Sequence, residues 1–184
     1  MSNSLRLSHF SFIGSLSLVS LISFSSFSQQ ELVYSTVLSN KIAIKMPASF
    51  KIMDYQTMSS KYSRSSIKPT EVYTNIDATV NITFNLMSQV LTEDKIVNYG
   101  RSSIKQISSL NEVRDVKGDI KMINGKKVVV VEFYSKAIDG DIYNLMFIAS
   151  VGGKEMLGSF NCVATAVPQW KSTANEIVNS MKFK

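Results

Sequence analysis

The sequence predicts an α+β fold in which an antiparallel β-sheet is flanked by helices. Three turn signals, Asn124-Gly125, Asp139-Gly140 and Gly152-Gly153, divide residues 112–163 into four strands joined by tight hairpins. An alternating apolar pattern precedes this meander, and an amphipathic helix lies on either side of it in the chain. Strands joined by short hairpins pair antiparallel, and apolar strand faces require a cover, which the two helices supply.

The first 28 residues are predicted to be a signal peptide. Residues 1–9 contain Arg6 and no acidic residue, residues 10–27 are apolar with seven serines, and small residues precede the Ser28/Gln29 bond. We therefore expect cleavage near Ser28/Gln29, export to the periplasm or the extracellular space, and no stable membrane span after cleavage. An uncleaved membrane anchor is the alternative, although the serines oppose burial in hydrocarbon.

Residues 29–184 are predicted to form one domain. A domain of about 150 residues buries roughly two-thirds of its unfolded surface and needs no disulfide or metal. The composition, 45% hydrophobic and 18% charged, is typical of globular proteins. Cleavage removes His9, the only histidine, and leaves Cys162 as the only thiol, so no intramolecular disulfide can form. We interpret Cys162 as a small buried residue of a strand.

Strands before the meander are predicted from period-two alternation. Lys41–Met46 alternates apolar and polar residues and is ended by Pro47. Thr70–Ile76 and Thr79–Met87 form a predicted hairpin around residues 75–78. In its second strand we expect one face in the core and the other wet, the wet residues being Thr79, Asn81, Thr83 and Asn85. Within the meander, Lys127–Tyr134 has apolar residues at both odd and even positions, which predicts a central strand covered on both faces.

Two amphipathic helices are predicted. The first starts at Thr92-Glu93-Asp94, where a hydroxyl N-cap and two acids suit the helix dipole. Its expected apolar side consists of Ile96, Gly100, Ile104, Ile107 and Leu110. The second begins at Pro168. Its expected stripe against the sheet consists of Trp170, Ala174, Ile177, Val178 and Met181, and we interpret Trp170 as a core anchor.

Residues 48–69 are predicted to form a mobile surface loop. This segment is rich in serine and has no acid between Asp54 and Glu71. A basic loop that carries an aromatic residue can steer and anchor an acidic partner. We therefore predict a partner-binding site formed by Lys61, Tyr62, Arg64 and Lys68. A plain solvated loop is the alternative.

The residue inventory argues against most enzyme chemistry. Without histidine, the Ser-His-Asp and Cys-His arrangements and the usual zinc sites cannot form in residues 29–184. No phosphate-binding glycine motif is present, and Asp139-Gly140-Asp141 lacks the calcium-loop spacing. We expect no metal, no cofactor and no catalytic residue. One alternative stays open: Glu132 lies in an apolar strand, and burial there would raise its pKa and make it a proton donor.

The net charge of +6 does not predict nucleic-acid binding. The basic residues are mostly lysines, which lack the bidentate fork of arginine, and acids are interleaved among them. An exported protein also meets little nucleic acid. The partner that this charge favours is an acidic protein or an anionic envelope component.

The order of elements resembles the PsbP-like superfamily, which includes a photosystem II extrinsic protein, a Ran-binding transport factor and bacterial exported proteins. The matching pieces are residues 44–50, Asn124-Gly125-Lys126 and residues 170–183. The resemblance implies an α-β-α sandwich and a non-catalytic binding or accessory role. Our leading hypothesis is an exported, non-enzymatic binding or accessory protein that contacts a protein or envelope partner. An immunity-type inhibitor of a secreted toxin and a small carboxylate-dependent enzyme are the alternatives.

Overall fold

The structure, a computed structural model, describes residues 30–63, 65, 67–137 and 140–184. The predicted signal peptide, residues 1–28, lies outside the described residues. The strands and helices in chain order are β1 (Leu32–Val37), β2 (Ile42–Pro47), β3 (Lys51–Ile52), α1 (Tyr55–Lys61), β4 (Glu71–Thr74), β5 (Val80–Val90), α2 (Ile96–Ser108), β6 (Val113–Ile123), β7 (Lys126–Ala137), β8 (Gly140–Val151), β9 (Lys154–Val163), α3 (Val167–Asn179) and β10 (Lys182–Phe183).

The strands form two antiparallel sheets. The larger sheet has seven strands in the order β3-β4-β5-β9-β8-β7-β6, and the smaller has three in the order β1-β2-β10. The predicted meander is confirmed as β6 to β9, and the predicted hairpin as β4 and β5. The fold class is therefore α+β, as the sequence predicts.

Two cores lie on opposite faces of the seven-stranded sheet. Because successive strand residues point to opposite faces, Val128 and Val130 of β7 pack in the core that includes α3, whereas Val129 and Val131 pack in the core that includes α2. All four valines are buried. The prediction that this strand is covered on both faces is confirmed, and its near-continuous apolar run follows from that position.

The tight turns and the closing helix follow the sequence closely. Asn124 and Gly125 have φ values of 47° and 81°, the left-handed conformation that a two-residue hairpin requires. Helix α3 has Pro168 in its first turn, and its predicted stripe is buried. Trp170 packs against Phe50 and Phe160, with ring centroids 5.7 and 6.1 Å away, so its prediction as a core anchor is confirmed.

The start of helix α2 was predicted wrongly. The helix begins at Ile96 instead of Thr92, because residues 93–95 form a turn in which the Lys95 N–H donates to the Thr92 carbonyl oxygen. Ile96 and Gly100 are buried as predicted, but Leu110 lies beyond the helix and is 51% exposed. At Gly100 the helix approaches the sheet so closely that a Cβ atom would lie 2.5 Å from Cγ2 of Val129.

The smaller sheet has two strands that the sequence did not reveal. The strand β1 lacks clean alternation, and β10 has only two residues. Both depend on β2, which pairs with β1 along one edge and with β10 along the other. The Lys45 N–H of β2 also donates to Oγ of Ser180 at 2.8 Å, a contact across 135 residues. Such long-range pairing leaves no local signal in the sequence.

The prediction that residues 48–69 form a mobile loop was wrong for residues 51–61. The segment contains the short strand β3, which pairs with β4, and the seven-residue helix α1. Asp54 caps this helix, since its carboxylate accepts from the Thr57 backbone N–H at 2.9 Å. The serine-rich composition concealed this cap, and the β3 pairing depends on residues more than 20 positions away.

Candidate functional site

A cavity of about 400 Å³ lies on the α2 side of the seven-stranded sheet. Helix α2 packs mainly over β6, β7 and β8, and it reaches one end of β9, where the Tyr99 hydroxyl donates to Oε1 of Glu155 at 2.9 Å. The α1–β4 connection contributes Tyr62, Ser65, Ile67 and Pro69 to the wall of the cavity. The cavity is therefore bounded by the sheet on one side and by this connection on the other.

Polar side chains from three adjacent strands line the sheet side of the cavity. In one cross-strand row, Asn81 of β5 is paired with Asn161 of β9, which is paired with Asn144 of β8. In the next row, Thr83 is paired with Ser159. We call the polar floor the set of Asn81, Thr83, Asn85, Asn144, Ser159 and Asn161; all but Asn81 line the cavity itself.

The polar-floor residues of β5 are buried, although the sequence predicts that they face solvent. Asn81 is 1% exposed, Thr83 9% and Asn85 7%. The alternation of polar and apolar residues in β5 correctly predicts which residues lie outside the apolar core. The same pattern cannot distinguish a polar face that contacts solvent from a polar face that is buried under another segment. The cover comes from the α1–β4 connection and from neighbouring strands, neither of which is local in sequence.

Hydrogen bonds within the polar floor fix its side chains. Nδ2 of Asn81 donates to Oδ1 of Asn161 at 3.1 Å, and the hydroxyls of Thr83 and Ser159 lie 2.8 Å apart. Oδ1 of Asn85 accepts from both the backbone N–H and the hydroxyl of Thr70, at 2.8 and 3.1 Å. Buried polar groups are costly unless they are paired, and this network satisfies much of the floor.

Of the four predicted contact residues, the structure brings Tyr62 to the cavity. Its hydroxyl is buried and has no hydrogen-bond partner among the described residues. Burial raises the pKa of this phenol to about 12, because the phenolate would lose its hydration. Tyr62 therefore presents a neutral hydroxyl at the cavity over the whole physiological pH range.

Lys61 and Lys68, two of the other predicted residues, do not line the cavity. Lys61 is exposed at the end of α1 and donates to the carbonyl oxygen of Ala78 in the β4–β5 turn. Lys68 is exposed and is separated from the start of β4 at Glu71 by Pro69 and Thr70. Arg64 lies outside the described residues. Lys61 and Lys68 thus belong to the outer surface of the segment, whereas Tyr62 belongs to the cavity.

No site was predicted from the sequence at the amides of the polar floor. Asn144 and Asn161 lie in strands with strongly apolar neighbours, and this position of an amide in a core strand is the signal that could have found them. The three asparagines of one row come together only through strand pairing, and Asn81 and Asn161 are 80 residues apart in the chain.

Glu132, the candidate proton donor, is an ion-paired residue. Its side chain is 18% exposed, and Oε1 accepts from Nζ of Lys171 on α3 at 2.5 Å. Glu132 is therefore a half-buried glutamate that is engaged by a lysine. The carboxylate is on the α3 side of the sheet, with Val130 and Leu145 beside it, and so is on the opposite face from the cavity.

Two further reactive residues, Cys162 and Asp141, do not form a reactive site. Cys162 is 1% exposed, and burial raises the pKa of its thiol to about 11, which confirms a buried structural cysteine. Asp141 pairs with Arg114 at 2.7 Å. Within the described ranges, no cluster of three or more His, Cys, Asp or Glu side chains could hold a metal ion. None of the helices in those ranges is long and apolar enough to cross a membrane.

Comparison with known proteins gives structural likeness without sequence likeness. No protein-family model matches the chain, and no curated protein matches it. The structure is similar to that of the cyanobacterial PsbP protein (CyanoP) of Synechocystis sp., with a TM-score of 0.58 and 12% identity. The match covers 89% of this chain and 99% of that one.

Two further solved structures share the architecture. The Ran-binding protein Mog1p of Saccharomyces cerevisiae has a TM-score of 0.52 and 12% identity, with 84% of this chain and 96% of that chain covered. LpqN of Mycobacterium tuberculosis, involved in cell envelope biogenesis, has a TM-score of 0.51 and 10% identity, with 84% and 91% covered. These likenesses confirm the predicted α-β-α sandwich.

Proposed function

Taking the PsbP-like fold of this chain as the premise, we propose that it is an exported, non-catalytic binding or accessory protein. Its binding surface is formed by residues 48–69, and its partner is a protein or an anionic envelope component. The observation that carries the proposal is the double role of this segment: it covers a polar cavity on one side and exposes lysines on the other. Scaffold-supported loops are where binding residues concentrate.

The outer surface of the segment favours an acidic partner. Lys61 and Lys68 are exposed, Arg64 lies between them in the sequence, and no acid occurs between Asp54 and Glu71. A local excess of positive charge steers association with acidic surfaces, and its effect decreases as salt screens it. The named activities of two structural neighbours, Ran binding and a part in cell envelope biogenesis, are compatible with these two partner classes.

The ion pair between Glu132 and Lys171 supports the non-catalytic part of the proposal. The Glu132 carboxylate is engaged by the Lys171 ammonium group and lies on the face of the sheet opposite the cavity. The absence of histidine from residues 29–184 supports the same conclusion. Both observations weigh against the small carboxylate-dependent enzyme considered as an alternative.

Reversal of the segment's charge tests the proposed surface. Lys61, Arg64 and Lys68 are changed together to Glu, and the secreted protein is used to capture its partner from its own envelope fraction by crosslinking. We expect capture to be lost, and wild-type capture to decrease as salt rises. A matched variant changes Lys105 and Lys117, exposed on α2 and β6, to Glu and should capture normally. Unchanged capture by the triple variant would defeat the proposal.

Export is tested separately by sequencing the N-terminus of the protein recovered outside the cytoplasm. We expect the sequence to begin at Gln29, since the proposed cleavage lies between Ser28 and Gln29. A mature protein that still begins at Met1 would contradict signal cleavage and would favour the uncleaved anchor.

A further inference from the structure

The cavity wall carries no formal charge among the residues that the structure describes. Seven of the twelve lining residues are hydroxyl or amide residues, and the other five are apolar: Ile67, Pro69, Phe133, Met146 and Leu157. The described part of the wall therefore offers a ligand hydrogen-bonding groups beside apolar surface.

Three polar groups at the cavity remain available to such a ligand. Oδ1 of Asn85 accepts from Thr70, and its Nδ2 group has no partner among the described residues. Nδ2 of Asn144 donates to Oγ of Ser135 and to the Ile142 carbonyl oxygen, both at 3.0 Å, and its Oδ1 has no partner within the same ranges. With the Tyr62 hydroxyl, the cavity offers a donor, an acceptor and a group that can serve as either.

The position of the cavity in the sheet argues against an extended peptide. Peptides that bind sheets through their main chain usually add a strand at an exposed edge. The floor of this cavity lies in the middle of the sheet, where β9 is paired on both sides, with β5 and β8. The backbone groups of β9 are used in these ladders, so the ligand is recognised by side chains.

We propose that this cavity binds a saccharide unit, an uncharged ring that carries several hydroxyls. Sugar hydroxyls both donate and accept, which matches the amide and hydroxyl groups of the wall, and the C–H faces of the ring suit Phe133, Met146 and Ile67. The volume of about 400 Å³ falls within the range of roughly 300–1,000 Å³ found for small-ligand sites. This inference rests on the proposed function, since both assign binding to the α1–β4 connection, but it concerns the cavity instead of the outer lysines.

The test is an NMR titration of the secreted protein with glucose, N-acetylglucosamine and maltose, in which the side-chain NH₂ signals of Asn85, Asn144 and Asn161 are followed. We expect at least one neutral sugar to shift these signals saturably. Glucuronate and glucose 6-phosphate keep the ring but add charge, and should bind more weakly. Tri-alanine and a neutral nucleoside represent the competing ligand classes.

Two variants connect binding to the cavity. Tyr62→Phe removes only a hydroxyl that has no partner among the described residues, so it should fold normally and bind the sugar roughly 2- to 10-fold more weakly, as for one lost hydrogen bond. Asn144→Ala should weaken binding similarly. The matched control Asn98→Ala, an exposed amide on α2, should bind as the wild type does.

The outcomes separate this inference from the proposed function. Saturable shifts with neutral sugars that weaken in Tyr62→Phe support it, and charge reversal at Lys61 and Lys68, which do not line the cavity, should leave them unchanged. No shift with any neutral sugar, stronger binding of the charged sugars, or shifts caused only by tri-alanine or the nucleoside would overturn it. The proposed function fails on a different result, which is unchanged partner capture after charge reversal.

Discussion

The side-chain amide of Asn81 donates a hydrogen bond to the side-chain oxygen of Asn161 across the β5–β9 pair, at 3.1 Å. Asn81 also accepts from the hydroxyl of Thr74 at 3.0 Å, and it is 1% exposed. This asparagine therefore joins three strands, β4, β5 and β9, beside the cavity. Its network holds the polar floor in place without any charged group of its own.

Replacement of Asn81 by Ala should destabilise the protein. The change leaves the Asn161 oxygen without its donor, whereas the Thr74 hydroxyl can still donate to the Val80 carbonyl oxygen at 3.0 Å. A buried unsatisfied polar group costs about 1–3 kcal/mol. We expect a loss of that size in the free energy of unfolding measured with urea. The control Asn98→Ala, at an exposed amide, should change it by less than about 0.5 kcal/mol. Equal effects of the two variants would contradict the structural role of this network.

Gly158 of β9 should not tolerate alanine. A Cβ atom at this position would lie 2.1 Å from Cε2 of Phe147, whose ring packs edge-on against Phe84 at 6.0 Å. We expect Gly158→Ala to lower the free energy of unfolding by about 1–3 kcal/mol, the usual cost of overpacking.

Phe147→Leu provides the control for this clash. If the close approach is the cause, Gly158→Ala combined with Phe147→Leu should lose less stability than the sum of the two single variants, since the smaller side chain leaves room for the new methyl group. Additive losses in urea unfolding would show that the alanine acts through something other than Phe147.

The Glu132–Lys171 pair should contribute to stability and not to function. Glu132→Gln keeps the shape of the side chain but removes its charge, and we expect a loss of about 1 kcal/mol or less, because Lys171 remains partly exposed to water. Partner capture should be unchanged. Glu112→Gln, at an exposed acid, serves as the charge-matched control. Loss of function in a correctly folded Glu132→Gln variant would instead favour the carboxylate-dependent enzyme.

The free energy of unfolding should decrease at alkaline pH, because the side chains of buried tyrosines ionise less readily in the folded protein than in the unfolded chain. Burial raises the pKa of Tyr62 and of Tyr99 to about 12, whereas an unfolded tyrosine ionises near 10. Below about pH 10 the phenols are protonated in both states. As the pH rises from about 10 to about 12, the unfolded chain loses these protons first, so the free energy of unfolding decreases.

Tyr62→Phe isolates the contribution of the cavity residue. Urea unfolding measured at several pH values across this window should show a shallower decrease for the variant than for the wild type, because one of the phenols has been removed. An identical pH dependence for the two proteins would indicate that the Tyr62 hydroxyl is not held in its buried, neutral form.

The sequence predicted the elements whose information is local. The α3 stripe that includes Trp170 and Ile177 repeats at helical spacing, and the Asn124-Gly125 turn requires a backbone conformation that few residues adopt. These features are visible within a short window, so they could be predicted correctly. The start of α2 could not be predicted correctly, because Thr92 begins a turn and the helix starts only after that turn, at Ile96.

The cavity depends on information that is not local. Asn81, Asn144 and Asn161 are brought into one row by strand pairing, and Tyr62 reaches the cavity through the α1–β4 connection. Tyr62 was identified because an aromatic residue stands out in a basic segment. The asparagines were not, because a polar residue in an alternating strand is ordinarily assigned to solvent.

Site-specific photo-crosslinking tests the central claim, that binding occurs at residues 48–69 and the cavity beside them, most directly. A photoreactive residue is introduced at Ile67, which lines the cavity and is 42% exposed, and in a second variant at Met122, which is 65% exposed on β6 at the opposite edge of the sheet. We predict that irradiation in the native envelope gives a defined adduct from Ile67 and none from Met122. Adducts from Met122 alone, or equally from both positions, would contradict the account.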